Sequence, residues 1–252
     1  MKYRADKHRL PPFRENGMIL IDKPAEWTSF DVVNFFRSRF NVPKVGHCGT
    51  LDPAATGLLL IVFGSFTRLS QHLSGQDKIY DATMLIGTET DSQDMDGNVT
   101  ARNDWSMITP EQVRDTVMSF TGEQLQTPPM VSAVKKDGKR LYELARQGVE
   151  VEREARRIII NSIDVTRVEL PETDFIVSCS KGTYIRTLCA DIGTKLGCGA
   201  VLQRLRRTHS GSFSIDDAVG IDTIKQWEQP QLLEYTTNFV HSKLAAMDDF
   251  SF

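Results

Sequence analysis

Paired cysteines, long apolar runs and net charge are all scarce in this sequence, and each scarcity closes off a class of protein. The four cysteines, Cys48, Cys179, Cys189 and Cys198, are separated by 131, 10 and 9 positions. Neither a CxxC pair nor a zinc-ligand spacing occurs, so a metal site is not expected and a reduced, cytoplasmic protein is. No apolar stretch approaches the length needed to span a bilayer, and Met1 to Phe13 carries charges and prolines where a signal peptide carries an apolar run. Export and membrane insertion are therefore not expected. Internal repeats at solenoid spacing and low-complexity tracts are also missing. What is present is 252 residues with 40% hydrophobic composition, enough for a sizeable core.

The net charge of −3 argues against a simple basic nucleic-acid binder, but the charges are segregated. Met1 to His47 holds nine Lys/Arg against five Asp/Glu, Val131 to Arg157 eight against five, and Lys181 to His209 six against one. The acidic surplus falls in Asp81 to Asp115, with eight acids against two bases, and in Asp216 to Phe252, with seven against two. Such a chain can present a basic face to a polyanion while staying acidic overall. Ordinary solvated surface would account for the same distribution.

Local patterns point to an α+β domain. Gly17 to Asp22 reads as a short buried strand, and Thr28 with Asp31 as a capping box opening a helix whose apolar face is Val32, Val33, Phe36 and Phe40. Leu58 to Phe63 is a continuous apolar run of central-strand length, and Ile79 to Ile86 a mixed strand. Thr109-Pro110, then Val113, Val117 and Phe120, with Gly122 as stop, predicts a second helix. Phe175, Val177 and Cys179 alternate up to Ser180-Lys181-Gly182, after which Ile185, Leu188, Cys189, Ile192 and Leu196 recur at helical spacing until Gly197. Thr127 to Arg157, with its Lys-Lys-Asp-Gly-Lys-Arg turn and a short helix, reads as a basic excursion of the kind that closes over ligands.

The most unusual stretch is Gly46-His47-Cys48-Gly49-Thr50-Leu51-Asp52-Pro53-Ala54-Ala55-Thr56-Gly57. Glycines, a proline and hydroxyl residues surround one carboxylate, which excludes a regular helix or strand and lets a ligand approach the backbone. An aspartate on such a loop serves as nucleophile or general base, or it caps the turn through its own backbone. The loop alone leaves these open.

From Gly17 to about Asp222 the chain resembles the TruB family of tRNA pseudouridine-55 synthases, through motifs in register. These are Ile21-Asp22-Lys23-Pro24, Gly46 to Pro53, Lys78-Ile79-Tyr80, Ser180-Lys181-Gly182-Thr183-Tyr184-Ile185-Arg186, and Pro128 to Ala133 followed by Gly138-Lys139-Arg140-Leu141-Tyr142. The resemblance implies a single catalytic domain over 1–252 on a mixed, largely antiparallel sheet flanked by helices, with an RNA-gripping thumb at about 124–157. It implies isomerisation of uridine 55 in the T loop of tRNA. That reaction breaks the glycosidic C–N bond, turns the uracil and rejoins it through carbon, so no cofactor is needed. Asp52 is then the nucleophile, acting on the ribose, on the base or through a glycal route. Tyr80 stacks on the flipped uracil and moves a proton, and Arg186, at the start of a helix, pairs with Asp52 to keep it ionised. His47 aids base extrusion or stacking, and Lys23 orients the loop or meets a phosphate. Gly49, Thr50, Leu51, Tyr184 and Leu205 join the substrate contacts, with Lys135 and Arg140 in the thumb. The expected partner is the T-arm stem-loop of tRNA, met by a monomer without a guide RNA.

About thirty residues follow Asp222, too few for the PUA domain that many members of that family carry. Trp227, Leu232, Leu233, Tyr235, Phe239 and Leu244 instead suggest one or two helices on the core. Asp94-Met95-Asp96-Gly97 imitates a phosphatase motif but follows polar residues, Thr88 to Gln93, where a buried strand should end. As a calcium loop it would need Ser92 and Asn103 as first and twelfth ligands, so it reads as an acidic turn. Three rivals stand beside the enzyme: a tRNA folding chaperone, a guide-RNA-dependent pseudouridylase, and a glycosidase, which would need a second carboxylate motif.

Overall fold

The computed structural model describes residues 10–130, 132, 135, 136, 139, 140, 149 and 151–240. It divides into two compact units, Met1–Gln76 with Arg206–Phe252, and Asp77–Leu205. The first begins with β1 (Gly17–Lys23), α1 (Ser29–Arg39), β2 (Val45–Cys48), β3 (Thr56–Phe63) and α2 (Ser70–Ser74). The second holds β4 (Lys78–Ile86), β5 (Thr88–Thr90), β6 (Val99–Arg102), α3 (Pro110–Met118), β7 (Gly122–Gln126), β8 (Lys135–Lys136), β9 (Lys139–Arg140), β10 (Arg156–Glu169), β11 (Glu172–Cys179) and α4 (Ile185–Leu196). Along β12 (Ala200–Ser210) the chain returns to the first unit, which ends in β13 (Phe213–Ser214), β14 (Val219–Gly220), α5 (Ile221–Ile224) and α6 (Gln229–Phe239).

In the first unit β3 is central because both of its faces are covered. Leu58, Leu60 and Val62 join Met18, Leu20, Phe213 and Phe239 on one side, while Phe63 meets Phe36 of α1 at 5.3 Å between ring centroids on the other. A strand buried twice reads as an unbroken apolar run, which is why Leu58 to Phe63 lacks alternation. β1 lies antiparallel to β3 from Gly17 opposite Phe63 to Lys23 opposite Gly57. β2 is antiparallel to β3, and Arg206 and Arg207 of β12 run parallel to it at Thr56 and Gly57. Gly57 permits that approach: its φ is +100°, and a Cβ there would lie 2.3 Å from the carbonyl oxygen of Arg207. The expected capping box is present, with Asp31 N donating to Thr28 Oγ1 and Thr28 N to Asp31 Oδ2, each at 2.9 Å.

The second unit is an antiparallel sheet in the order β4, β11, β10, β7, with α3 and α4 packed on it. Together with the mostly antiparallel pairings of the first unit, this bears out the mixed, largely antiparallel α+β class. Helix α4 ends at Gly197 in the left-handed region (φ 82°), as its spacing predicts. Helix α3 stops earlier than expected, with Ser119 as its cap, and Gly122 opens β7. The polar residues before the acidic turn do form a strand, since Thr88 and Thr90 are buried in β5. The short helix expected inside Thr127 to Arg157 lies outside the described residues. No described helix is long and apolar enough to cross a membrane. All four cysteines are free and buried, and burial pushes the Cys179 thiol up to about 12.

Candidate active site

The Asp52 loop joins β2 to β3, and its backbone is pinned from several directions. The fully buried Lys23 ammonium donates to the carbonyls of Pro24 (2.9 Å), Trp27 (2.6 Å) and Pro53 (3.2 Å). Ser29 Oγ accepts from Leu51 N at 2.9 Å and donates to Leu51 O at 3.2 Å. Arg207, 1% exposed, donates through Nε to Leu58 O at 2.7 Å and through Nη2 to Gly49 O at 3.1 Å. Gly49, whose φ is 79°, also donates its N–H to Ser74 Oγ at 3.1 Å. Burying two cations is costly unless their donors are satisfied, and here carbonyls of this loop and its neighbours satisfy them. The result is a rigid loop carrying the half-buried Asp52 between the buried Leu51 and the exposed Pro53, with Ala55 N donating to Asp52 O at 3.1 Å.

This geometry sorts the expected residues. Lys23 is placed to orient the loop, since its buried ammonium donates to three carbonyls. Leu51 is buried, whereas Thr50 is exposed. Burial lowers the Lys23 pKa to about 8, against the opposing pull of the Asp52 charge and with a further push from Arg207. Lys23 and Asp52 thus attract each other. Ser29, Ser74 and Arg207 were not singled out by the sequence, because a serine after a helix cap and one arginine in a basic strip carry no distinguishing signal.

His47 follows from the same environment. Burial first, and then the Arg207 charge, lower its pKa below 6.5, and its Nδ1 is buried with no hydrogen-bond partner among the described residues. The folded ring is therefore neutral where the unfolded chain takes up a proton near 6.5. Between the folded value and 6.5 the unfolded state holds more protons, so stability is full above 6.5 and falls as pH drops. Denaturant titrations from pH 7.5 to 5 should show that slope, and His47→Gln should flatten it. An equal slope in both proteins would mean that His47 is not its source.

In the second unit Tyr80 is buried in β4 opposite Val177 of β11. Arg186, 4% exposed in the first turn of α4, donates through Nη1 to Asp94 Oδ2 at 3.1 Å, and its guanidinium lies 5.8 Å from the Tyr184 ring centroid. A cation at a helix N-terminus faces the positive end of the dipole, and Asp94 offsets this. Asp94 is itself held, with Ser92 Oγ donating to its Oδ1 at 2.5 Å and Thr90 Oγ1 to its carbonyl at 2.7 Å. The acidic turn is thus a prepared acceptor for Arg186, a role its sequence did not suggest. Tyr184 is fixed by Gln126, which accepts from its N–H at 2.8 Å and donates to its carbonyl at 3.1 Å. Leu205, at the end of this unit, is half-buried. Lys135 and Arg140 pair through their backbones in the β8–β9 hairpin, and their side chains lie outside the described residues.

Residues 37–185 match the model of the TruB family pseudouridylate synthase N-terminal domain, and residues 186–241 that of the tRNA pseudouridylate synthase B C-terminal domain. The chain is 46% identical over 217 residues to tRNA pseudouridine synthase B of Opitutus terrae, an alignment covering 86% of this chain and 90% of that protein. Its identity to tRNA pseudouridine synthase B of Syntrophotalea carbinolica is 48% over 221 residues, covering 86% and 72%. Among solved structures it is similar to a chain of a Cbf5-Nop10-Gar1 complex, with TM-score 0.66 and 25% identity over 97% of this chain and 65% of that one. A chain of an H/ACA RNP bound to a substrate RNA containing 2'-deoxyuridine gives TM-score 0.63 at 25% identity, over 92% and 56%. This chain spans less than two thirds of either of those solved chains.

Proposed function

Because the chain belongs to the TruB family of pseudouridylate synthases, we propose that it converts uridine 55 in the T loop of tRNA to pseudouridine, with Asp52 as the nucleophile. The observation that supports this reading best is the pinned loop: a half-exposed carboxylate on a backbone held by buried Lys23, Ser29 and Arg207. Solvated turns are not built this way. A carboxylate that must meet one atom of a bound nucleotide gains from such rigidity, because a misplacement of about 1 Å costs about 10²-fold in rate. Tyr80 and Arg186 act on the same uridine, as the family motifs that hold them imply, and the extruded base is read against aromatic and apolar side chains. The chemistry is an isomerisation that needs neither a cofactor nor a guide RNA, and the protein works as a monomer.

The test is to incubate the purified protein with unmodified tRNA, without added guide RNA, and to map pseudouridine along the whole molecule. One gain at the T-loop uridine is expected. Gain at another position, or gain only after a guide RNA is supplied, would overturn the reading.

A further inference from the structure

We propose that Phe30, with the Arg37 guanidinium over its ring, is a stacking platform for an unpaired nucleotide of the RNA substrate, close to the one being modified. The inference rests on the reading of the chain as an RNA-modifying enzyme. Phe30, Phe35 and Phe36 lie in α1 and Phe40 caps it. Phe35, Phe36 and Phe40 are buried, whereas Phe30 is 57% exposed. An aromatic side chain left in water forgoes part of the free energy of burial and stays available to a partner that can cover it.

The surroundings say which partner. The Arg37 guanidinium lies 5.7 Å from the centroid of the Phe30 ring, two helical turns away on the same face. A flat ring with a cation at its face offers a base something to stack on and the adjoining phosphate a positive charge. Both residues are also tied to the Asp52 loop and its lead-in strand. Ser29, the neighbour of Phe30, holds both backbone polar groups of Leu51, the residue before Asp52. Arg37 Nη2 donates to Val45 O at 3.5 Å, two residues before His47. The capping box fixes the first turn in which Phe30 stands. An apolar protein partner would leave the Arg37 charge without compensation, and an RNA phosphate would neutralise it.

The platform is tested by fluorescence anisotropy with a T-arm stem-loop RNA, using the full chain. Phe30→Ala should raise Kd about tenfold, and the loss should appear in KM more than in kcat. Phe30→Trp should bind at least as tightly as the native protein, with added indole emission that RNA quenches. Leu233→Ala, which removes another exposed apolar side chain, on α6, should bind like the native protein. A Phe30→Ala variant with native Kd, or a Phe30→Trp signal indifferent to RNA, would overturn the platform alone. A native protein that neither binds nor modifies this RNA would overturn the functional reading and the platform with it.

Discussion

Asp52→Asn should abolish pseudouridine formation, a loss of at least about 10⁴-fold, while leaving tRNA affinity within about threefold of native. The substitution keeps the size and most of the hydrogen-bonding reach of the side chain and removes only the charge. The loop should hold its shape, since Lys23, Ser29 and Arg207 grip it through backbone atoms. Binding should survive because phosphate contacts and base stacking supply most of the affinity, and neither involves this carboxylate. A second readout is independent of RNA. The Asp52 charge raises the Lys23 pKa against burial, so removing it should move the Lys23 titration below its value of about 8, as followed by NMR of the side-chain nitrogen. The variant also separates catalysis from RNA folding assistance, because remodelling needs the binding surface and not the carboxylate. Near-native turnover, with deamidation back to aspartate excluded by mass spectrometry, would remove Asp52 from the mechanism.

What could be read from the sequence is what short-range chemistry determines. The box at Thr28 and Asp31 spans three residues, the helical spacing from Ile185 to Leu196 ends at a glycine that can take positive φ, and the run from Leu58 to Phe63 has few alternatives to a doubly covered strand. Strand β10 was missed because bulges between Ile160 and Ser162 and between Val165 and Arg167 break its alternation. Strand β5 was misjudged because Thr88 and Thr90 are polar, yet Thr90 is satisfied in burial by the Asp94 carbonyl. At the site, the Asp52 loop was conspicuous by composition, whereas the residues that hold it were not. Arg207 reaches Gly49 across 158 positions and Arg186 reaches Asp94 across 92. Pairings at that range leave no periodic trace in a single sequence. They follow from strand order, which brings β12 beside β3 at Gly57 and bridges Asp94 to Leu202.

The pair of Arg186 and Asp94 should give the second large effect, and its stability and activity components should come apart. Arg186→Met removes a cation that is 4% exposed and leaves the Asp94 carboxylate, itself mostly buried, without its guanidinium. Stability should fall by about 3–5 kcal/mol, and turnover by about 10²–10³-fold if Arg186 stabilises charge during the reaction. Asp94→Asn should cost less, because its amide oxygen can take the Oδ2 place and accept from Arg186, while its NH2 faces Ser92 Oγ, whose hydroxyl can turn to accept from it. Combining the two should recover part of the stability lost in Arg186→Met, since the orphaned negative charge is gone, and the double variant should melt above that single one. Turnover should not recover with it. That split is what distinguishes a guanidinium needed by the reacting nucleotide from one needed only as a counterion for the turn. Melting curves and single-turnover rates on the three variants decide the matter: if the double variant regains activity along with stability, Arg186 serves the fold of the second unit and has no part in the chemistry.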